Sequence, residues 1–331
     1  MVKNFKAFVT SQKQNEKFEN SIFEKSIDDL PNGDLLIRVE YSSLNYKDAL
    51  SASGAKGITK SYPHTPGIDA SGVVEESTNH HFLVGEKVIV TGFDLGMNTS
   101  GGFAEYIRVP SSWAVKCPES LSTKESMMIG TAGLTAGLCL EEIEKHKSLK
   151  NLEVIVSGAT GGVGSIAIKL LSNMGAKITA VTGKKNEHKF LYDLGSSKII
   201  QRKELIESTR LPMSKSLYDA AVDVAGGNIL TNIIASMKYN GTITACGNVA
   251  GPKFETTVFP FILRGNRLIG IDSATCSIPM REKIWNNFSN KWKLKNLDNI
   301  CKVIDLSNLN NEIEKILSGK QIGRVIVKIH Q

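Results

Sequence analysis

From about residue 126 onward, short β-branched runs alternate with apolar stripes at helical spacing. Glu153 to Val156 reads EVIV, with the length and branching of a buried parallel strand. Past a glycine-rich stretch, Ala167, Leu170, Leu171 and Met174 recur at i, i+3, i+4 and i+7, the stripe of a helix. Gly175 is placed to stop that helix, and Lys177 to Val181 (KITAV) begins a second strand. Further strands are predicted at KII (198–200), YDAAVDV (218–224), NGTITACG (240–247) and NRLIGIDS (266–273). Strands in this number with helices between them predict a doubly wound parallel sheet of α/β class. Residues 1–125 read differently: LLIRVEYSSL, GVVEES, EKVIVTG and AEYIRVP are short strands punctuated by glycine and proline, as in a small, mostly antiparallel β domain. The tail SIPMREKIWNNFSNKW is helical in pattern, and KVIDL, LNNEIEKILSG and GRVIVKI give strand, helix, strand. We expect residues 274–331 to return to the first domain, so that 126–273 is inserted into it.

The loop between EVIV and its helix reads GATGGVG, with spacing Ala159-x-Gly161-x-x-Gly164. Glycine density alone decides nothing, but a strand before the loop and a helix after it are the context a dinucleotide-binding turn requires. Backbone N–H groups of Thr160, Gly161, Gly162 and Val163 are the expected pyrophosphate contacts at the helix N-terminus. About 20 residues on, an NAD site carries Asp or Glu for the ribose 2′-hydroxyl. Here that place reads Val181-Thr182-Gly183-Lys184-Lys185, without a carboxylate until Glu187. Thr182, Gly183 and Lys184, with Arg202 just past the KII strand, suit a 2′-phosphate, so NADPH is the expected cofactor. Solvated charges at a helix start are the plainer alternative. Asn248 follows ACG at the carboxyl end of the fifth strand, where ligands collect in such sheets.

Composition narrows the class. A chain of 331 residues is long enough for two domains with real cores. No apolar run approaches the roughly 18 residues of a membrane span, and MVKNFKAFVTSQKQ lacks a signal-peptide core. The five cysteines are dispersed without CxxC pairing, which argues for a reducing cytoplasm. A net charge of +7, spread along the chain, suits an anionic cofactor or substrate but is no nucleic-acid stripe.

SSLNYKDAL, PGIDASG, GGFAEYIRV, IGTAGLTAGLCL, SGATGGVGS and PFILRGNRLIGIDS occur in this order. With them the chain resembles, over nearly its whole length, the medium-chain dehydrogenase/reductase superfamily, and within it the acryloyl-CoA reductase (YhdH/YhfP-type quinone oxidoreductase) family. The resemblance implies a GroES-like β-rich catalytic domain with an inserted Rossmann domain, NADPH as cofactor, and a homodimer pairing through NRLIGIDS. It implies a small-molecule substrate, acryloyl-CoA or a quinone or other enone, with no nucleic acid and no membrane. Zinc alcohol dehydrogenases of the superfamily place Cys where this chain has Asn45 and His-Glu where it has Ile68 and Asp69. A catalytic zinc needs about three N, S or O ligands, so a zinc-independent reductase is expected. His64 is the one histidine to watch.

Without a Lewis acid, reduction of an activated C=C is more accessible than alcohol oxidation: hydride reaches the β-carbon and charge gathers on the carbonyl oxygen. Tyr46 is the first candidate donor, either protonating the α-carbon or hydrogen-bonding the nicotinamide ribose. Asn45 is expected to orient cofactor or substrate. Asp48 reads as a helix cap or a partner for Lys47, and Asp69 as a buried, hydrogen-bonded acid. By resemblance, Ile262 and Ser273 are nicotinamide-side contacts. Arg324 is expected to meet an anionic part of CoA or NADPH, or else to form a surface salt bridge. A nucleotide-binding sensor without turnover is the alternative from another class.

Overall fold

The computed structural model describes residues 4–14, 17–208 and 212–330. Two compact units emerge: Met1–Thr131 with Ala274–Gln331, and Ala132–Ser273. In the first, β1 (Asn4–Gln12) and β2 (Phe18–Ser26) form an antiparallel pair. Then come β3 (Leu35–Leu44), α1 (Tyr46–Ala52), β4 (Asp69–Ser77), β5 (Lys87–Thr91), β6 (Tyr106–Val109) and β7 (Ala114–Lys116). Helix α2 (Thr123–Glu144) follows and is broken at Gly130, whose φ of 52° and ψ of −160° lie outside the helical region.

The second unit then runs β8 (Glu153–Val156), α3 (Gly162–Asn173), β9 (Lys177–Thr182), α4 (His188–Leu194), β10 (Lys198–Gln201), α5 (Arg202–Glu207), β11 (Tyr218–Asp223), α6 (Gly227–Ala235), β12 (Met237–Ala245), α7 (Phe259–Arg264) and β13 (Arg267–Gly270). All its pairings are parallel, in the order β10-β9-β8-β11-β12-β13. The chain thus starts at the centre, winds outward to one edge, returns and winds to the other, which puts the topological switch between β8 and β11, where such sheets take ligands. Ile155, Val181, Ala221 and Ile243 of these strands are buried with Ile229, Ile233 and Ile234 of α6. Buried on both faces, the central strands β8, β9 and β11 read as continuous apolar runs, which is why the pattern betrayed them.

Back in the first unit, α8 (Ile278–Ser289), β14 (Cys301–Asp305), α9 (Leu309–Leu317) and β15 (Arg324–Lys328) complete a sheet ordered β14-β15-β3-β4-β5-β7, with β6 paired to β3. Its core takes alternate residues of β3 (Leu35, Ile37, Val39) with Val74, Val88, Val90 and Val325, the period of two a half-buried antiparallel strand requires. Strands β1, β2 and β7 fall outside the sequence expectations. β2 leaves Ile22 and Phe23 exposed and so carries no clean alternation.

Candidate active site

In the first unit β3 runs straight into α1, and the junction Ser43-Leu44-Asn45-Tyr46 faces the start of β4 at Asp69. Asp69 is wholly buried. Its Oδ2 accepts from Ser43 Oγ at 2.5 Å, Asn45 Nδ2 at 2.9 Å and the Thr131 N–H at 2.9 Å, and its Oδ1 accepts from Thr131 Oγ1 at 2.5 Å. Arg324 lies 3.8 Å from the same carboxylate, also buried. Its guanidinium donates to Ser43 Oγ (2.7 Å), Asn45 Oδ1 (3.1 Å) and the carbonyls of Leu44, Met127 and Met128. An ion pair taken out of water survives only when hydrogen bonds satisfy what the pair leaves over, and here they do. Gly130 is the reason α2 can come this close. A Cβ there would lie 2.5 Å from Arg324 Nη2, 2.6 Å from Asp69 Oδ2 and 2.7 Å from Ser43 Oγ.

Asp48, in the first turn of α1, is the second buried carboxylate. It accepts from the N–H of Asn45 and of Ile68, both at 2.8 Å. Burial, then the Asp69 charge, lift its carboxyl to about 7 against the pull of those N–H groups. It therefore caps the helix start rather than pairing with Lys47. Asn45 turns its side chain to Asp69 and Arg324, which fixes the residue before Tyr46. Tyr46 opens α1 at 38% exposure, so its phenol is open to a guest. His64 is buried and engages the Gly96 carbonyl at 2.9 Å, and burial lowers its pKa.

The expectation for Arg324 needs correction. Every N–H of its guanidinium is engaged inside the unit, so it has no donor left for a CoA or NADPH anion and is no surface salt bridge. Sequence reasoning missed Ser43 and Thr131. SSL reads only as a strand end, and Thr131 hides in a run of small helical residues.

In the second unit the glycine loop sits at the carboxyl end of β8. The N–H of Gly161 closes a tight turn onto the Gly158 carbonyl at 2.9 Å, and α3 starts at Gly162 with Gly161 as its N-cap. A Cβ on Gly164 would come within 2.4 Å of the Gly158 carbonyl oxygen, so the loop must be glycine for the helix to begin there. Thr160 is buried beside it. Free N–H groups of a first helical turn make an anion site. Thr182 and Gln201 are paired at the ends of β9 and β10, which puts Gly183 and Arg202 side by side. The exposed Arg202 guanidinium lies over Gly183, within 3.5 Å of where a Cβ would stand. Thr182 Oγ1 accepts from the Lys184 N–H at 3.0 Å. Burial draws the Lys184 ammonium below its usual value, with Glu187 opposing and Arg202 adding to the pull. Asn248 is exposed in a shallow recess of about 610 Å³ beyond β12 and β13. Ser273 Oγ accepts from Thr135 Oγ1 at 2.7 Å. Ile262 stands on α7, packed over β12, at 71% exposure.

Comparison with known proteins agrees with this build. Residues 31–119 match the alcohol dehydrogenase GroES-like domain, and residues 162–290 match the zinc-binding dehydrogenase family. The acrylyl-CoA reductase AcuI of Ruegeria pomeroyi is 35% identical over 97% of this chain and 98% of its own. Two crystal structures superpose closely. The yhdH oxidoreductase of Salmonella enterica in complex with NADP has TM-score 0.94 at 36% identity, covering 98% of this chain and 100% of that one. The yhfP protein of Bacillus subtilis with NAD bound has TM-score 0.95 at 36% identity, covering 99% and 100%. The chain belongs to the medium-chain dehydrogenase/reductase superfamily and, within it, to the acryloyl-CoA reductase and YhdH/YhfP-type quinone oxidoreductase family.

The zinc in the second family's description does not fit the donor set. Ile68 offers no ligand atom, Asn45 is committed to Asp69 and Arg324, and the positive charge beside Asp69 is the guanidinium of Arg324. Among the described residues no group of three or more His, Cys, Asp or Glu side chains converges.

Proposed function

We propose that this chain reduces the C=C bond of a small α,β-unsaturated acyl-CoA with NADPH, acryloyl-CoA to propionyl-CoA being the concrete case. The observation that carries the reading is the mutually hydrogen-bonded network of Asp69, Arg324, Asn45 and Thr131 beside an accessible Tyr46, in a chain whose relatives include an acrylyl-CoA reductase. Bound NADPH supplies a hydride for the β-carbon; the α-carbon then needs one proton. The N–H groups of Thr160, Gly162 and Val163 hold the pyrophosphate, while that of Gly161, expected to join them, is spent on the Gly158 carbonyl; Thr182, Gly183, Lys184 and Arg202 take the 2′-phosphate. Asn248, Ser273 and Ile262 are assigned to the nicotinamide side. Tyr46 donates its phenolic hydrogen, and Asn45, held by Asp69 and Arg324, keeps the start of α1 in place so that this hydrogen is aimed the same way at each turnover. The donor set around Asp69 has no role for a metal in this scheme.

The test is loss of NADPH absorbance with acryloyl-CoA, crotonyl-CoA and benzoquinone in parallel, repeated with NADH. Preferred turnover of acryloyl-CoA with NADPH supports the reading. Turnover of the quinone alone moves the assignment to quinone or enone reduction, and no turnover with any acceptor removes the enzyme. Tyr46→Phe then divides its two roles: a fall in kcat of about 10²-fold or more marks the proton donor, whereas a rise in KM for NADPH alone marks a ribose contact.

The assembly we propose is a homodimer. Strand β13 ends the sheet with an open edge that a twin strand can cover, and Val258, Phe259 and Leu263, in the segment just before it in the chain, are exposed apolar side chains. Light scattering that gives a monomer mass would remove this part. No helix among the described residues is long and apolar enough to cross a membrane. The five cysteines are free thiols, in keeping with the cytoplasm we assign.

A further inference from the structure

Ser157 and Asp223 are wholly buried polar residues that face each other across the switch between β8 and β11. Ser157 Oγ donates to Asp223 Oδ1 at 2.6 Å and accepts from the Val224 N–H at 2.8 Å. The same carboxylate accepts from the Gly226 N–H at 2.9 Å and the Ala225 N–H at 3.3 Å. No cation among the described residues pairs with it, and burial lifts its carboxyl above the usual range against the Ser157 hydroxyl and the two N–H groups.

These bonds meet where the nucleotide end of the sheet is assembled. Ser157 is the residue before Gly158, whose carbonyl closes the tight turn and abuts Gly164 of α3. On the other side, Ala225 and Gly226 carry the segment after β12. The Ala225 carbonyl accepts from the Ala250 N–H at 2.7 Å. A Cβ on Gly226 would fall 3.1 Å from the Asn248 Cα, and one on Gly247 would fall 2.2 Å from the Val224 carbonyl oxygen. One carboxylate and one hydroxyl therefore fix the glycine loop, the β11–α6 turn and the Asn248 segment against each other.

We propose that Ser157 and Asp223 are a positioning pair for the dinucleotide: without touching it, they hold the phosphate-binding turn in register with the Asn248 segment. The inference rests on the NADPH reading above. Because the pair acts on the shape of the backbone cradle, its loss should weaken NADPH and NADH alike and leave the chemistry of the bound complex intact.

The experiment titrates NADPH and NADH by fluorescence against wild type, Ser157→Ala, Asp223→Asn and the double variant, with thermal melts and kcat at saturating NADPH. We expect each single variant to melt cooperatively, to bind both nucleotides roughly tenfold more weakly or worse, and to keep kcat within about twofold. The double variant should bind no more than about twofold worse than the weaker single, because both substitutions break one contact. Ser157→Ala removes a single hydroxyl, so it decides the matter alone should Asp223→Asn fail to fold. Nucleotide binding within about twofold of wild type in Ser157→Ala overturns the pair's role and leaves the NADPH reading standing. A wild-type protein that binds neither nucleotide overturns both.

Discussion

Arg324 and Arg202 are both arginines that the sequence offered to an anionic guest, and the protein uses them in opposite ways. Arg324 is buried in the first unit with every donor engaged and a carboxylate 3.8 Å away. Arg202 is exposed at the end of β10, makes no hydrogen bond or ion pair among the described residues, and lies over a glycine. A cation already satisfied inside a domain fixes geometry, whereas one left without a partner at the ends of parallel strands is available for a ligand. The contrast extends to acids. Asp69 is matched by a guanidinium, while Asp48 and Asp223 are held by N–H groups or a hydroxyl, and burial raises both.

The sharpest way to break the contrast is to remove the buried cation. Arg324→Met leaves Asp69 without its counter-charge, and losing one partner of a buried pair costs about 3–5 kcal/mol. The urea midpoint should fall accordingly, and Asp69→Asn added to Arg324→Met should recover part of the loss. A single variant within about 1 kcal/mol of wild type would show that Arg324 is held loosely, and the contrast with Arg202 would collapse.

Next in size is the pH response of the unmatched acid. The Asp48 carboxyl is at about 7 when folded, against 3.8 when exposed. Between those values the folded chain holds a proton the unfolded chain has lost. The contribution of this group to stability is therefore complete below about pH 4 and declines as pH rises toward 7, by an amount on the order of a few kcal/mol. Denaturant midpoints at pH 5 and pH 8 should show the decline, and Asp48→Asn should flatten it whatever its effect on absolute stability. An unchanged slope in the variant would assign the pH dependence elsewhere.

The second unit was the more legible. Its central strands announced themselves as apolar runs, and the glycine loop could be placed because its flanks were readable. The first unit gave up its strands by alternation but hid its site. The network depends on Ser43, Asp69, Thr131 and Arg324 meeting from β3, β4, α2 and β15, residues far apart in the chain whose convergence no local period encodes. Gly130 looked like one small residue among several in a helix. Its positive φ and its contact with the ion pair appear only once β15 is beside α2. Ser157 and Asp223 were equally silent, since a serine and an aspartate at strand ends are ordinary until they are seen to share a proton-donating contact.

The smallest effect tests the other arginine. If Arg202 is free for a guest, Arg202→Gln should leave the melting temperature within about 1 °C of wild type, since an exposed residue without partners contributes little. It should weaken NADPH roughly tenfold, the worth of one charge-assisted hydrogen bond, and leave NADH unchanged because NADH has no 2′-phosphate. The ratio of the two KM values is the quantity to follow, since it cancels any general loosening of the loop. An equal loss for both nucleotides would instead make Arg202 a contact for the shared adenosine, and the discrimination would pass to Lys184, whose ammonium is already drawn down by burial beside it. Loss of stability without loss of selectivity would make Arg202 structural after all, a second Arg324 at the surface.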